Sequence, residues 1–134
     1  MNKLNGTITN IQQSGAIILA DIEVYGQLVS AMLIDSDEQH EWLKTGSGVS
    51  VVFKETEVSI AKGLSGKISL RNRFFCHIEA IRMGELLCEI KLRFGLYFLT
   101  SVITTRAVES LDLKVGEQVE ALVKANEVSL MKPC

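Results

Sequence analysis

Two stretches of this chain are nearly the same text. Residues 54–62 read KETEVSIAK and residues 124–132 read KANEVSLMK, seventy positions later. The likeness extends backwards: Leu43-Lys44-x-Gly46-x-x-Val49 returns as Leu113-Lys114-x-Gly116-x-x-Val119 at the same offset. Between residues 43–62 and 113–132, nine of twenty positions are identical. A fixed internal period constrains a fold more than local propensity does, because each copy must be one unit that stacks on its neighbour. The 134 residues are therefore expected to form two modules, 1–62 and 68–134, rather than one domain.

Modules of this size are marginal alone, since a 60-residue unit buries only about 60% of the surface its unfolded chain exposes. The composition is apolar for so short a chain, 47% hydrophobic with mean hydropathy +0.23. That surplus either fills two cores or lies between modules or protomers, and the second reading predicts packing of the copies and a homo-oligomer, a dimer or larger.

The patterning is that of strands. Leu86, Cys88, Ile90, Leu92 and Phe94 alternate with Leu87, Glu89, Lys91 and Arg93, the period of a half-buried strand. Gly95 breaks the run and Tyr97–Ile103 resumes it, as in a hairpin. With Ile68–Ile81, Val119–Val123 and Val128–Met131, the second copy has five strands. The first copy supplies Leu4–Ile11, Ala16–Val24, Leu28–Ile34, Val49–Phe53 and Val58–Ala61, with Gly15 and Gly26 at turns. Between strands three and four lies a polar stretch, DSDEQHEWLKTG in the first copy. Ser36 and Gln39 there have capping-box spacing and Gly46 sits where a helix ends, so a short helix is expected in each repeat. Five strands with one short helix predict an all-β fold of two tandem OB-like barrels. The stretch AKGLSGKIS joins the copies as a turn or linker.

Several functions are excluded by what the chain lacks. A net charge of −2, pI near 5.7 and 6% aromatic residues leave no whole-chain basic field or stacking surface for nucleic acid. No charged-then-apolar leader and no apolar run of about 18 residues is present, which predicts a cytoplasmic protein without membrane contact. Three cysteines suit a reducing compartment. Cys76, Cys88 and His77 lack metal-ligand spacing, so the cysteines read as small buried hydrophobes, Cys134 as a tail residue, and no metal site is expected. Gly66-Lys67 resembles a phosphate loop only superficially, because Ala61 and Ile68 occupy the positions that need Gly and Ser or Thr. Neither His40 nor His77 has a nucleophile and orienting group in any recognisable pattern, so no catalytic residue is assigned and the chain is not read as an enzyme.

One stretch carries chemistry. SLRNRFFCHI at residues 69–78 sets the Ser69 hydroxyl, the Arg71 fork of donors and the Asn72 amide ahead of an apolar strand. On composition alone these are either the solvated start of a strand or a donor cluster. Ser69-x-Arg71-Asn72-x-Phe74-x-x-x-Ile78 resembles the S-A-R-N-x-L/F-x-G-x-V/I opening of the molbindin (Mop/TOBE) domains. SVIT at 101–104, LDLKVGEQV at 111–119 and ALVKANEVSL at 121–130 resemble that family's later strands in the correct order. NKLNGTI at 2–8 is similar to the same opening without its Ser and Arg, so the resemblance covers nearly the whole chain as a tandem pair, like the C-terminal sensor region of molybdate-responsive regulators.

The resemblance implies molybdate or tungstate as bound ligand, held between neighbouring domains or subunits, with no catalytic cofactor. A tetrahedral dianion offers only acceptors, so its site needs converging donors and no nearby carboxylate. The resemblance assigns that part to Ser69, Arg71, Asn72, Thr104, Lys124 and the backbone N–H of Ala125. The sequence departs from the family pattern at Cys76 and Leu70, where glycine and alanine are usual, and at Ala107 and Ser110, where related regulators place Ser and Arg. The first copy departs further: Met1 falls opposite Arg71, Ile34 opposite Thr104 and Glu55 opposite Ala125. It is read as mainly structural, with Lys54, Thr56 and Lys3 as weaker candidates for a second site. The function implied is intracellular storage, homeostasis or sensing of the oxyanion. Two other readings stand beside it: a ligand-sensing fragment of a larger transcriptional regulator or ABC-transporter ATPase, and an OB-type nucleic-acid module using Arg71, Arg73, Phe74 and Phe75. No helix-turn-helix pattern is present, so direct DNA binding by this chain alone is not expected.

Overall fold

Ten strands form where the alternation places them. The computed structural model describes residues 1–35 and 40–132. In the first repeat, β1 (Asn2–Ser14), β2 (Ile17–Val24), β3 (Gln27–Ile34), β4 (Gly48–Phe53) and β5 (Ser59–Ala61) follow one another. The second repeat gives β6 (Asn72–Arg82), β7 (Leu87–Phe94), β8 (Tyr97–Thr104), β9 (Gln118–Val123) and β10 (Ser129–Met131). Cys88, Ile90, Leu92 and Phe94 of β7 point inward and their neighbours outward, as the period of two requires. A 3-10 turn precedes each last strand, at Glu55–Glu57 and Ala125–Glu127.

The helix expectation holds in one repeat. Helix α1 (Thr105–Leu111) starts with the Ala107 N–H donating to Thr104 Oγ1 (3.1 Å) and ends at Asp112 in the left-handed region (φ 49°). Lys62, from the end of the first repeat, donates to the carbonyls of Leu111 (3.0 Å) and Asp112 (2.9 Å) at that end. In the first repeat, Ser36 and Gln39 lie outside the described residues, as does Cys134. Residues 40–46 form turns, not a helix, with Trp42 and Leu43 packed on the core.

The barrel expectation is corrected. The strands form two open five-stranded antiparallel sheets, in the orders β10-β4-β1-β2-β3 and β5-β9-β6-β7-β8. Among the described residues β3 pairs only with β2 and β8 only with β7, while the three-residue β10 and β5 each have a single partner, so neither sheet closes. The orders show a second feature. The last strand of each repeat belongs to the sheet of the other: Leu130 pairs with Val51, and Ile60 with Ala121. The pairings repeat at the seventy-residue offset, including the irregularity between Ile8 and Asn10 and between Ile78 and Ala80, except that β1 pairs with β2 for two residues more, Gln13 with Ile18 and Ser14 with Ile17.

This exchange places the turns after β4 and β9 across the opposite sheet, and the two repeats share one core. Phe53 and Phe74, one from each repeat, stack at 6.0 Å with their planes 12° apart, and Phe94 meets Phe74 edge-on at 5.1 Å. Val58 and Val128, just before the exchanged strands, are buried, and the Ser101 hydroxyl donates to the Val58 carbonyl (2.7 Å). A shared core is how two marginal modules bury enough surface.

Two asparagines complete the seam. Asn72 Nδ2 donates to the Ser30 carbonyl (2.9 Å) and the Ser30 N–H donates to Asn72 Oδ1 (2.7 Å). Seventy residues earlier, Asn2 makes the same two bonds with the backbone of Thr100 (2.8 and 2.7 Å). Each amide thus mimics a strand partner for the outermost strand of the opposite sheet, and both are buried.

Candidate oxyanion-binding cleft

The start of β6 and the end of β9 lie side by side, with Asn72 opposite Val123. That pairing brings the residues preceding β6 against the turn following β9. The result is a cleft of about 580 Å³ lined by Met32, Ser69, Leu70, Arg71, Lys124, Ala125 and Asn126. Four of the residues expected to bind an oxyanion, Ser69, Arg71, Lys124 and Ala125, therefore meet in one place. Among the described residues the lining carries two cations and no carboxylate. Among the described residues Arg71 and Lys124 make no ion pair, and both are exposed. The 3-10 turn bonds internally through the N–H groups of Glu127 (to the Lys124 carbonyl, 2.9 Å) and Val128 (to the Ala125 carbonyl, 3.3 Å). The N–H groups of Ala125 and Asn126 come before those donors, as the first amides of a helical turn do.

Two expected donors are placed elsewhere. Asn72 is 1% exposed and both polar atoms of its side chain are taken by the Ser30 backbone. Thr104 caps α1 and lines a different cavity of about 560 Å³, with Glu85, Leu86, Leu87, Thr105, Arg106 and Glu109. Conversely, Asn126 and Met32 line the cleft without having been singled out in the sequence. Asn126 had a signal, because it is the counterpart of Thr56 at the seventy-residue offset. Met32 had none, since it comes from β3 across the seam.

The first repeat builds the corresponding turn with different chemistry. Lys54 follows β4, and Glu55 and Thr56 begin the 3-10 turn. The Met1 ammonium donates to the Glu55 carboxylate, and that bond holds Glu55 below the usual carboxylate range. Lys3 lies on β1 opposite Val52, and its counterpart at the offset is Arg73. The Arg73 fork grips Glu120 through Nε–Oε2 (2.6 Å) and Nη2–Oε1 (2.9 Å). This pairing holds Glu120 below, and Arg73 above, its ordinary value. With Arg73 paired to Glu120 and Phe74 fully buried, two of the four residues of the nucleic-acid platform are taken up within the fold. Cys76 and Cys88 are buried free thiols, and burial pushes Cys76 up to about 12, so it stays protonated as a core hydrophobe.

Two open sheets sharing exchanged strands, with a cation-lined cleft at the start of the second repeat, define a tandem two-sheet module. The chain belongs to the molbindin (Mop/TOBE) family: residues 68–130 match the TOBE domain. A crystal structure of the cytoplasmic molybdate-binding protein ModG with molybdate bound superposes with a TM-score of 0.92 at 26% identity, covering 98% of this chain and 96% of that one. The molybdenum-pterin-binding protein MopB of Rhodobacter capsulatus is 35% identical over 72 residues, 53% of this chain and 27% of MopB. The molybdenum transport protein ModE of Azotobacter vinelandii is 35% identical over 68 residues, 50% of this chain and 25% of ModE. The chain thus spans about a quarter of the length of these two curated relatives.

Proposed function

We propose that this chain is a cytoplasmic binding protein for molybdate, with tungstate as a close substitute, and that it carries out no catalysis. The observation that carries the reading is that Ser69, Arg71, Lys124 and Ala125, whose turn begins with amides outside its internal bonds, line one cleft with no carboxylate among the described residues. Charge-assisted hydrogen bonds of this kind contribute about 1.5–3 kcal/mol each, and the absence of an acid from the lining spares a dianion like-charge repulsion. The likeness to ModG along nearly the whole of both chains supports the same ligand and compartment.

In this reading the repeats divide the work. Residues 68–134 bear the donor set, and residues 1–62 serve mainly as scaffold, with Lys54, Thr56 and Lys3 as minor contributors. Thr104 joins the site from a neighbouring subunit, because within one chain it faces a separate cavity. Leu28 and Ile34 on β3 and Phe98 on β8 remain half or more exposed, which suits an assembly of at least two copies.

Thermal melting with molybdate, tungstate, sulfate and phosphate in parallel tests the reading. A ligand at a hundred times its Kd should stabilise the protein by about 2.7 kcal/mol. Equal melting temperatures with and without molybdate and tungstate would refute it. Light scattering at micromolar protein with molybdate present tests the assembly, and a monomer there removes the role given to Thr104.

A further inference from the structure

We infer that Asn72 is a positioning residue and not a ligand donor: its amide bridges the seam and holds β3 of one sheet against the donor segment of the other. The inference rests on the oxyanion reading of the cleft and names how that cleft is held in shape. Asn72 adjoins Arg71 in the chain, yet its Oδ1 and Nδ2 both face the Ser30 backbone, at 2.7 and 2.9 Å, in a site only 1% exposed. Turning the amide toward the cleft would leave the Ser30 N–H and carbonyl unpaired, a loss that no single new bond to an anion restores. What the clasp fixes is geometry. Ser30 lies two residues before Met32, among the described residues the one that the first repeat supplies to the cleft, and Asn72 lies one residue after Arg71. The wall and the cation are thus tied to the same pair of hydrogen bonds, and the cleft keeps its width only while the two sheets stay in register.

The molecule contains its own control. Asn2 makes the same pair of bonds to Thr100, at 2.8 and 2.7 Å, on the repeat whose turn carries Glu55. Losing either clasp removes the same chemistry from the fold, but only the one at Asn72 adjoins the donor segment. A purely structural role therefore predicts equal consequences for the two asparagines, and a positioning role predicts unequal ones.

Titration calorimetry with molybdate on wild type, Asn72→Ala and Asn2→Ala separates these. Asn72→Ala is expected to weaken binding about tenfold or more, and Asn2→Ala less than about twofold, at similar losses of melting temperature. Equal weakening by both, or none by Asn72→Ala, overturns the inference. Should a variant fold too poorly to titrate, amide exchange on the wild type decides. Molybdate should slow exchange of the Ser30 N–H more than that of Thr100, because the ligand braces one clasp only. Faster exchange at Ser30 would mean that Asn72 leaves the clasp to bind the anion, which also overturns the inference. If wild type shows no response to molybdate by either method, the function itself falls and the inference with it. Binding that survives Asn72→Ala removes the inference alone.

Discussion

Position for position, the second repeat sets Arg71, Lys124 and Ala125 where the first has Met1, Lys54 and Glu55. Over the same span the two keep the same strands, the same bulge and the same asparagine clasp. What persists in both copies is what the shared core and seam require. The exchanges of Met1 for Arg71 and of Glu55 for Ala125 lie at the mouths of the turns, outside the shared core. In the proposed reading, one scaffold is presented twice and the dianion site is developed on one side only.

The largest effect expected from this contrast is on binding. Arg71→Ala should cost about 1.5–3 kcal/mol of molybdate affinity, roughly ten- to a hundred-and-fifty-fold. Lys124→Ala should do similar harm, since the remaining neutral donors do not replace a point charge. Lys54→Ala should lose far less, because Glu55 beside it disfavours an anion. Calorimetry on the three variants, each checked for an unchanged melting temperature without ligand, measures the asymmetry. Equal losses for Lys54→Ala and Lys124→Ala would break the comparison and require sites built from both repeats.

A second test moves a residue between copies. Gly6 and Cys76 are counterparts, but a Cβ at Gly6 would lie 2.5 Å from the Glu23 carbonyl oxygen and 2.6 Å from Ile22 Cγ2. The β-branched Ile22 and Val24 crowd that strand, whereas Leu92 and Phe94 at the same places carry no branch at Cβ. Gly6→Cys should therefore destabilise by about 1–3 kcal/mol, although cysteine is the natural residue seventy positions on. Denaturant unfolding measures it, and a neutral result would show that the two sheets are more alike than their packing indicates.

Smaller effects sharpen the picture. Thr104→Ala removes a helix cap that Ile34 cannot supply in the first repeat, for about 1 kcal/mol of stability. A loss of molybdate affinity beyond that would place the hydroxyl in a site shared between subunits. Least of all is the acid response. Glu120 is held below its ordinary value by Arg73, so the stability it adds is complete above the unfolded value of about 4.3 and is lost as pH falls through the folded one. The first repeat has Ser50 there, bonded to Asn5 (3.0 Å), with nothing to titrate. Melting temperature followed from neutral to acid pH should thus fall less steeply for Glu120→Gln than for wild type.

All ten strands could be read from alternation and glycine breaks, because those signals are local. The exchange of β5 and β10 could not. VSVVF before one turn and VEALV before the other present nearly equivalent edges, and IA and LM fit either. Local energies barely distinguish a strand returning to its own sheet from one crossing over; the crossing buries Val58 and Val128, a contact that no local pattern announces. The cleft was legible in part for a related reason. Residue types in 69–72 and 124–125 identify donors, but whether a donor faces solvent or another backbone depends on what crosses the seam, which is why Asn72 reads like Arg71 in the sequence and behaves differently in the fold.

The crossed strands also bear on how the molecule comes into being. Residues 2–53 emerge from synthesis first, yet their sheet stays without its fifth strand until residues 129–131 arrive. The sheet of the second repeat needs β5 from the first repeat, and the sheet of the first repeat needs β10 from the second, so each depends on a strand distant in sequence. Such long-range closure slows folding relative to two independent modules, and it should make unfolding a single transition whose halves do not melt apart. A nick in the segment between the repeats, around residues 63–67, would then leave two fragments still laced through each other's sheets.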